Sequence, residues 1–170
     1  MKDFAPRQSH QVGITAGGEK YRTKLSLAYD DVEGLFKKNL SWNRATVRVN
    51  NDIKITKWLN TSLDLNFKKT GSTNPAYSPS YQMRYAAPVY AAEYTDGRMG
   101  PGKDGSNPYG KMLYGGTTSA RNYLLNGKFS FVLTPLDGLS ISGVFAPTFN
   151  FAKEKKFTKQ VKYYPDWDNT

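Results

Sequence analysis

Residues 58–69 read WLNTSLDLNFKK, with Leu59, Thr61, Leu63, Leu65 and Phe67 at odd positions and Asn60, Ser62, Asp64, Asn66 and Lys68 at even ones. Successive side chains of an extended chain point to opposite sides, so this pattern predicts a strand with one oily face and one wet face. The fold turns on what covers the oily side: a second layer of the same protein, or lipid.

The pattern recurs along the chain. KYRTKLSLAYD sets Tyr21, Thr23, Leu25, Leu27 and Tyr29 against Arg22, Lys24, Ser26 and Asp30. RATVRVNNDIKI sets Ala45, Val47, Val49, Ile53 and Ile55 against Arg44, Thr46, Arg48, Asn50 and Lys54. YLLNGKFSFVL and LSISGVFAPTFNF repeat it, and HQVGITA at the front does so more weakly. Helical periodicity is scarce. The sequence therefore predicts an all-β chain, an antiparallel meander of about six strands.

Composition fits a sheet with little core. The chain has 170 residues, 38% of them hydrophobic, yet 14% are aromatic, dominated by 12 Tyr and 9 Phe. That many rings argues against disorder. No stretch approaches the run of about 18 to 20 apolar residues that a membrane helix needs, and MKDFAPRQSH has no apolar core of an export signal. With no cysteine and one histidine, His10, neither a disulfide framework nor a thiolate metal site is available. The net charge of +10 suits an acidic partner, such as nucleic acid or a lipopolysaccharide headgroup layer. The bases are spread over strand faces and loops, however, and read as solvated charge.

The connections alternate in length. Tight turns fall at 17–19, 56–58 and 135–138, whereas 31–38 is a longer loop and 70–120 a very long one. In a meander every second connection lies at the same end, so one end is trimmed and the other elaborated, as in transmembrane β-barrels. The alternating spans match the nine to eleven or so residues of a tilted membrane strand. Tyr21, Tyr29, Trp58, Phe67, Tyr123 and Phe151 sit near the limits of the apolar faces, where interfacial girdles lie, although cross-strand packing would also place rings there. Lipid is thus the expected cover for Leu59, Leu63, Leu65 and Phe67. A soluble sandwich would need a second, matching oily sheet.

The long loop is rich in Gly, Pro, Tyr and Ser and too long to be an idle connection. Its Tyr77, Tyr81, Tyr85, Tyr90, Tyr94, Tyr109 and Tyr114 are amphipathic rings, suited either to a partner surface or to packing on one another. Tyr81, Arg84, Tyr90 and Tyr94 are the candidate contact residues, because rings and a guanidinium give large contact area with few torsions to freeze.

Catalytic and nucleotide motifs do not hold. Residues 97–103 spell G-x-x-x-x-G-K, but Asp104 follows where Ser or Thr is required, and Pro101 and DGSNPYG continue a loop. Asp96 and Asp104 lack calcium-loop spacing and read as Asp-Gly turns. Asp64 faces out among Asn and Lys, Asp30, Asp31 and Glu33 are expected together in a short loop, and His10 has no zinc companion. No enzyme, metal or cofactor is expected.

The succession QSHQVGITAGGEKYRTKLSLAYDDVEGLFKKN, RATVRVNNDIKITKWLNTSLDLNF, PVYAAEYTDGRMGPGKDGSNP and NGKFSFVLTPLDGLSISG resembles the SusC/RagA-type TonB-linked outer membrane receptors of Bacteroidetes, over nearly the whole chain. The matching features are the turn at Gly17 to Lys20, Glu33-Gly34, the run from Lys54 to Leu59, Asp96-Gly97 followed by Asn107-Pro108, and Gly138-Leu139-Ser140. The resemblance implies a plugged barrel of 22 strands in the outer membrane of a Gram-negative cell. It also implies import of oligosaccharide or peptide, TonB engaged through an N-terminal part, and a SusD-like surface lipoprotein docked on the outer loops. Residues 1–170 then read as an internal barrel segment without plug domain or TonB-contacting segment, with an extracellular loop at about 70–120. Nucleic acid has no part in that reading. Pro147 departs from a regular last strand and predicts a bulge or a break in pairing. The alternative is a soluble basic β-sandwich that binds carbohydrate or nucleic acid through loop Tyr and Arg.

Overall fold

A computed structural model describes residues 2–165 except 37, 39, 79, 80, 82, 83, 85 and 87. Seven antiparallel strands form one sheet: β1 (Arg7–Gly17), β2 (Tyr21–Glu33), β3 (Ser41–Lys54), β4 (Leu59–Pro75), β5 (Gly116–Leu136), β6 (Leu139–Phe145) and β7 (Thr148–Thr158). Strands β1 to β6 pair in chain order, and β7 also pairs with β5. The sheet is open: β1 lies along one edge, and β6 and β7 share the other. A 3₁₀ turn at Lys103–Gly105 and α1 (Pro108–Tyr114) lie in the long loop.

Strands β6 and β7 are two halves of one line. Phe129↔Phe145 and Leu133↔Ile141 pair β6 with the lower half of β5, while Asn126↔Thr148 through Gly116↔Thr158 pair β7 with the upper half. The break falls at Pro147, which has no N–H for the ladder, as expected. Its carbonyl still accepts from Gly127 N at 2.9 Å, and its ring rests on the space that the missing Gly127 side chain leaves.

The trimmed end is built from residues that tolerate tight turns. Gly18 N donates to Tyr21 O, Thr56 Oγ1 accepts from Trp58 N, and Gly138 closes the β5–β6 hairpin at φ 84°. At the other end the strands run further than alternation predicts. Strand β2 continues to Glu33, so Asp30, Asp31 and Glu33 lie on a strand and not in a loop. Strands β4 and β5 extend to Pro75 and back from Gly116, which shortens the long loop from the expected 70–120 to 76–115. The extra ladder, Thr70↔Asn122 to Pro75↔Thr117, is polar on both faces, so no alternation marks it in the sequence. Gly116 starts β5 at φ 104°, and a Cβ there would meet Phe157 O at 2.0 Å.

Register gathers the oily residues on one face. Leu25↔Val49↔Leu65 and Leu27↔Val47↔Phe67↔Leu125↔Phe149 are continuous cross-strand rows, joined by Leu63↔Phe129 and Thr61↔Phe131. Among the described residues no second layer covers them. Leu65 is 39% exposed, Phe129 43% and Phe149 63%. Among the described residues the sheet has no core of its own. The buried hydrophobic side chains, Ala76, Met99, Met112 and Leu113, all belong to the long loop.

The other face is polar and internally bonded. Asp30 accepts from Ser9 Oγ at 2.8 Å and pairs with Arg44 at 2.9 Å. Asn50 Nδ2 donates to Asp64 at 2.6 Å, and Ser62 and Ser130 bond across β4 and β5. A recess of about 380 Å³, lined by Lys24, Asp30, Arg44, Arg48, Asn50 and Asn66 among others, opens on this side.

Candidate binding surface on the long loop

Loop 76–115 is organised around one asparagine. Asn107 is 1% exposed, and all of its side-chain polar capacity is used. Its Oδ1 accepts from Tyr109 N at 2.9 Å and Gly110 N at 3.2 Å, which caps α1, and Pro108 fills the first helical position. Its Nδ2 donates to Ala92 O at 2.6 Å and Gly100 O at 2.9 Å, which ties the preceding arm of the loop to the helix start. Glycines make this close packing possible: a Cβ on Gly100 would meet Ala91 O at 2.3 Å.

The segment after β7 completes the assembly. Lys159 N donates to Gly115 O and Tyr164 N to Met99 O. Tyr163 Oη donates to Asn107 O at 3.4 Å, and the Arg98 guanidinium lies 5.2 Å from the Tyr164 ring centre. Burial pushes the Tyr163 phenol above its ordinary range. A raised folded-state value means that the docked form binds the proton more tightly than the released form. Docking is then fully present below about pH 10 and is lost as the pH rises through the folded value. Hydrogen exchange of the Tyr109 and Gly110 amides should accelerate in that alkaline window beyond its intrinsic pH dependence, and Tyr163→Phe should remove the extra acceleration.

The four sequence-derived contact residues take different positions. Tyr81 and Arg84 are exposed. Tyr90 is 43% exposed and lines an apolar recess of about 160 Å³ with Ala91, Ala92, Pro108 and Tyr109. Tyr94 is half-buried, and its hydroxyl lies 3.3 Å from both Tyr164 O and Pro165 O, so this ring braces the loop against the following segment. Tyr77 turns toward α1, with Lys111 Nζ 5.2 Å from its ring centre, and Tyr114 is approached by Lys38 at 5.0 Å. Tyr85 lies outside the described residues. Some rings therefore give the loop its shape and others face outward. The recess was not readable from sequence, because it depends on Asn107 drawing residues 92 and 100 onto the helix.

The stretch 94–105 forms turns. Tyr94 N donates to Arg98 O, Gly97 has φ 85°, and Asp96 accepts from Arg98 N at 2.9 Å. That backbone N–H, with help from the Arg98 side chain, holds the Asp96 carboxyl below the usual carboxylate range. This is not the strand-to-helix cradle of a nucleotide site. No group of His, Asp and Glu suited to a metal ion occurs among the described residues.

The chain matches no protein-family model, and no curated protein is significantly similar to it. Geometry and the sequence resemblance must therefore carry the functional reading.

Proposed function

We propose that this chain is a segment of the wall of an outer membrane TonB-dependent transporter of the SusC/RagA type. Such a transporter imports glycans or peptides together with a SusD-like surface lipoprotein. The observation that carries this reading is the single-layer meander whose apolar face is not covered by any of the described residues. From Leu59 to Phe67 that face spans about 26 Å along the strand, and about 20 Å across a membrane at the tilt of barrel strands. With the ring row one step beyond Phe67, this approaches the apolar band of about 25 Å in outer membrane barrels.

Three further features agree. The bonded polar face has the character of a lumen wall. Tyr29, Tyr123 and Phe151 lie in one cross-strand row at the loop end of the apolar face, and Tyr123 and Phe151 stand 6.3 Å apart. Both edges are open, as in a segment that continues into the remaining strands of a 22-stranded, plugged barrel, where closure removes the pairing hazard of bare edges. A soluble sandwich would need a second sheet over Leu25, Val47 and Leu65, and the described residues supply none. TonB would act through the N-terminal part of the receptor. The loop, with its own small core and outward rings, is the contact surface for ligand or lipoprotein.

The test uses the complete receptor. Replacing Tyr81, Arg84, Tyr90 and Tyr94 by alanine should reduce ligand uptake and lipoprotein co-purification while barrel assembly stays normal. Tyr94→Phe, which removes only the bracing hydroxyl, separates loop shape from contact. Unchanged uptake and unchanged lipoprotein binding would leave the loop with a structural role alone.

A further inference from the structure

Four cations scattered in sequence meet at one place. Arg121 on β5 lies directly opposite Lys153 on β7, on the same sheet face. Lys155 is opposite Ser119, two residues further along, and Lys69 on β4 is opposite Tyr123 with Nζ 6.0 Å from the ring centre. All four are exposed, and they lie on the apolar side of the sheet, at and just beyond the Tyr123–Phe151 row toward the loop end. The acids on this face, Asp31 and Glu33, are on β2, three strands from β5, or about 14 Å away. Glu154 points to the other face.

This arrangement works against the sheet by itself. Like charges directly opposite one another on neighbouring strands are destabilising, whereas Arg44 and Lys128 on the polar face have carboxylates at 2.9 and 3.9 Å. The height of the cluster also matters. It stands where the apolar band ends and rings mark the boundary, which is where lipid phosphates lie against a spanning strand.

We propose that Lys69, Arg121, Lys153 and Lys155 form a docking surface for the phosphate groups of lipid headgroups at the outer rim of the sheet. The inference rests on the membrane reading above. It adds a partner that the reading does not require, since an apolar band and rings suffice for insertion. The Arg121 guanidinium and the Lys153 ammonium, side by side, can donate to the several oxygens of a phosphomonoester with Lys69 and Lys155 flanking them, while Tyr123 and Phe151 lie against its acyl chains.

The experiment compares folding of the complete receptor into vesicles of phosphatidylcholine alone with folding into phosphatidylcholine mixed with phosphatidic acid, read from the urea dependence of strand circular dichroism. Each cation near an anionic surface favours the acidic mixture by about fivefold. The wild type should therefore prefer it strongly, and R121Q/K153Q should reduce that preference by about 25-fold. R48Q/K68Q, an equal charge change on the polar face, should leave the preference nearly intact. Equal losses in both double variants, or no preference in the wild type, would overturn the proposal. So would reproduction of the whole effect by inorganic phosphate added to phosphatidylcholine vesicles, which would make the site one for the free ion. Failure of the wild type to insert into either vesicle would remove the membrane reading and this proposal with it.

Discussion

Replacing Asn107 by alanine should unfold loop 76–115 while the strands stay paired. The side chain supplies the cap of α1 and satisfies two carbonyls of the opposite arm. Losing a cap costs about 1 kcal/mol, and each buried group left without a partner about 1 to 3 kcal/mol. The total, about 3 to 7 kcal/mol, is large for a unit whose buried hydrophobic side chains are Ala76, Met99, Met112 and Leu113. Asn107→Ser keeps the cap acceptor and should recover about 1 kcal/mol of it. The measurement is native-state hydrogen exchange with limited trypsin cleavage at Arg98, Lys103 and Lys111. Cleavage should rise sharply in the alanine variant, with β2 to β4 amides unchanged. Unaltered loop protection would mean that Asn107 is not the organising residue.

Leu65→Arg should be the most damaging single change on the sheet, and only in a membrane. Leu65 lies mid-strand between Val49 and Gly127 and is 39% exposed. In water an arginine there forfeits a partly buried leucine, about 1 kcal/mol. At a bilayer midplane it costs about 2 to 4 kcal/mol, or about 30- to 1000-fold in the folding equilibrium. Gln11→Arg, exposed on the polar face of β1, should cost little in either medium. Urea titration of folding of the complete receptor into phosphatidylcholine vesicles decides the matter: equal, small effects of the two substitutions would sink the idea that lipid covers this face.

The parts of the fold that were legible share one physical cause. Wherever one face meets apolar surroundings and the other water, side chains must alternate. The segments around Leu25, Val47, Leu65 and Phe129 therefore announced strand type, face and order, and Gly17-Gly18 and Asp137-Gly138 announced the turns between them. Alternation fails where both faces meet water. Residues 70–75 and 116–122 extend the β4–β5 ladder without any apolar beat, and Lys153 to Lys156 in β7 alternate only among polar groups. The loop is shorter than the expected 70–120 for the same reason. Asn107-Pro108 was visible as a pair and is the signature of a helix start. Its burial was not visible, because the carbonyls of Ala92 and Gly100 and the hydroxyl of Tyr163 reach it from elsewhere in the chain.

The sequence by itself determined an antiparallel meander with one oily face, short turns at one end and elaboration at the other. These follow from local rules: two-residue periodicity, the freedom of glycine in turns and the missing N–H of proline. The tertiary structure alone decided which residues stand side by side across strands. Alternation fixes a face, and a slip of two residues would preserve it, so the pattern could not place Arg121 opposite Lys153 or Lys69 beside Tyr123. Charges that read as dispersed along the chain were thereby gathered into one patch. Rings that read as equivalent were divided between bracing the loop and facing outward, because that choice rests on partners many residues away.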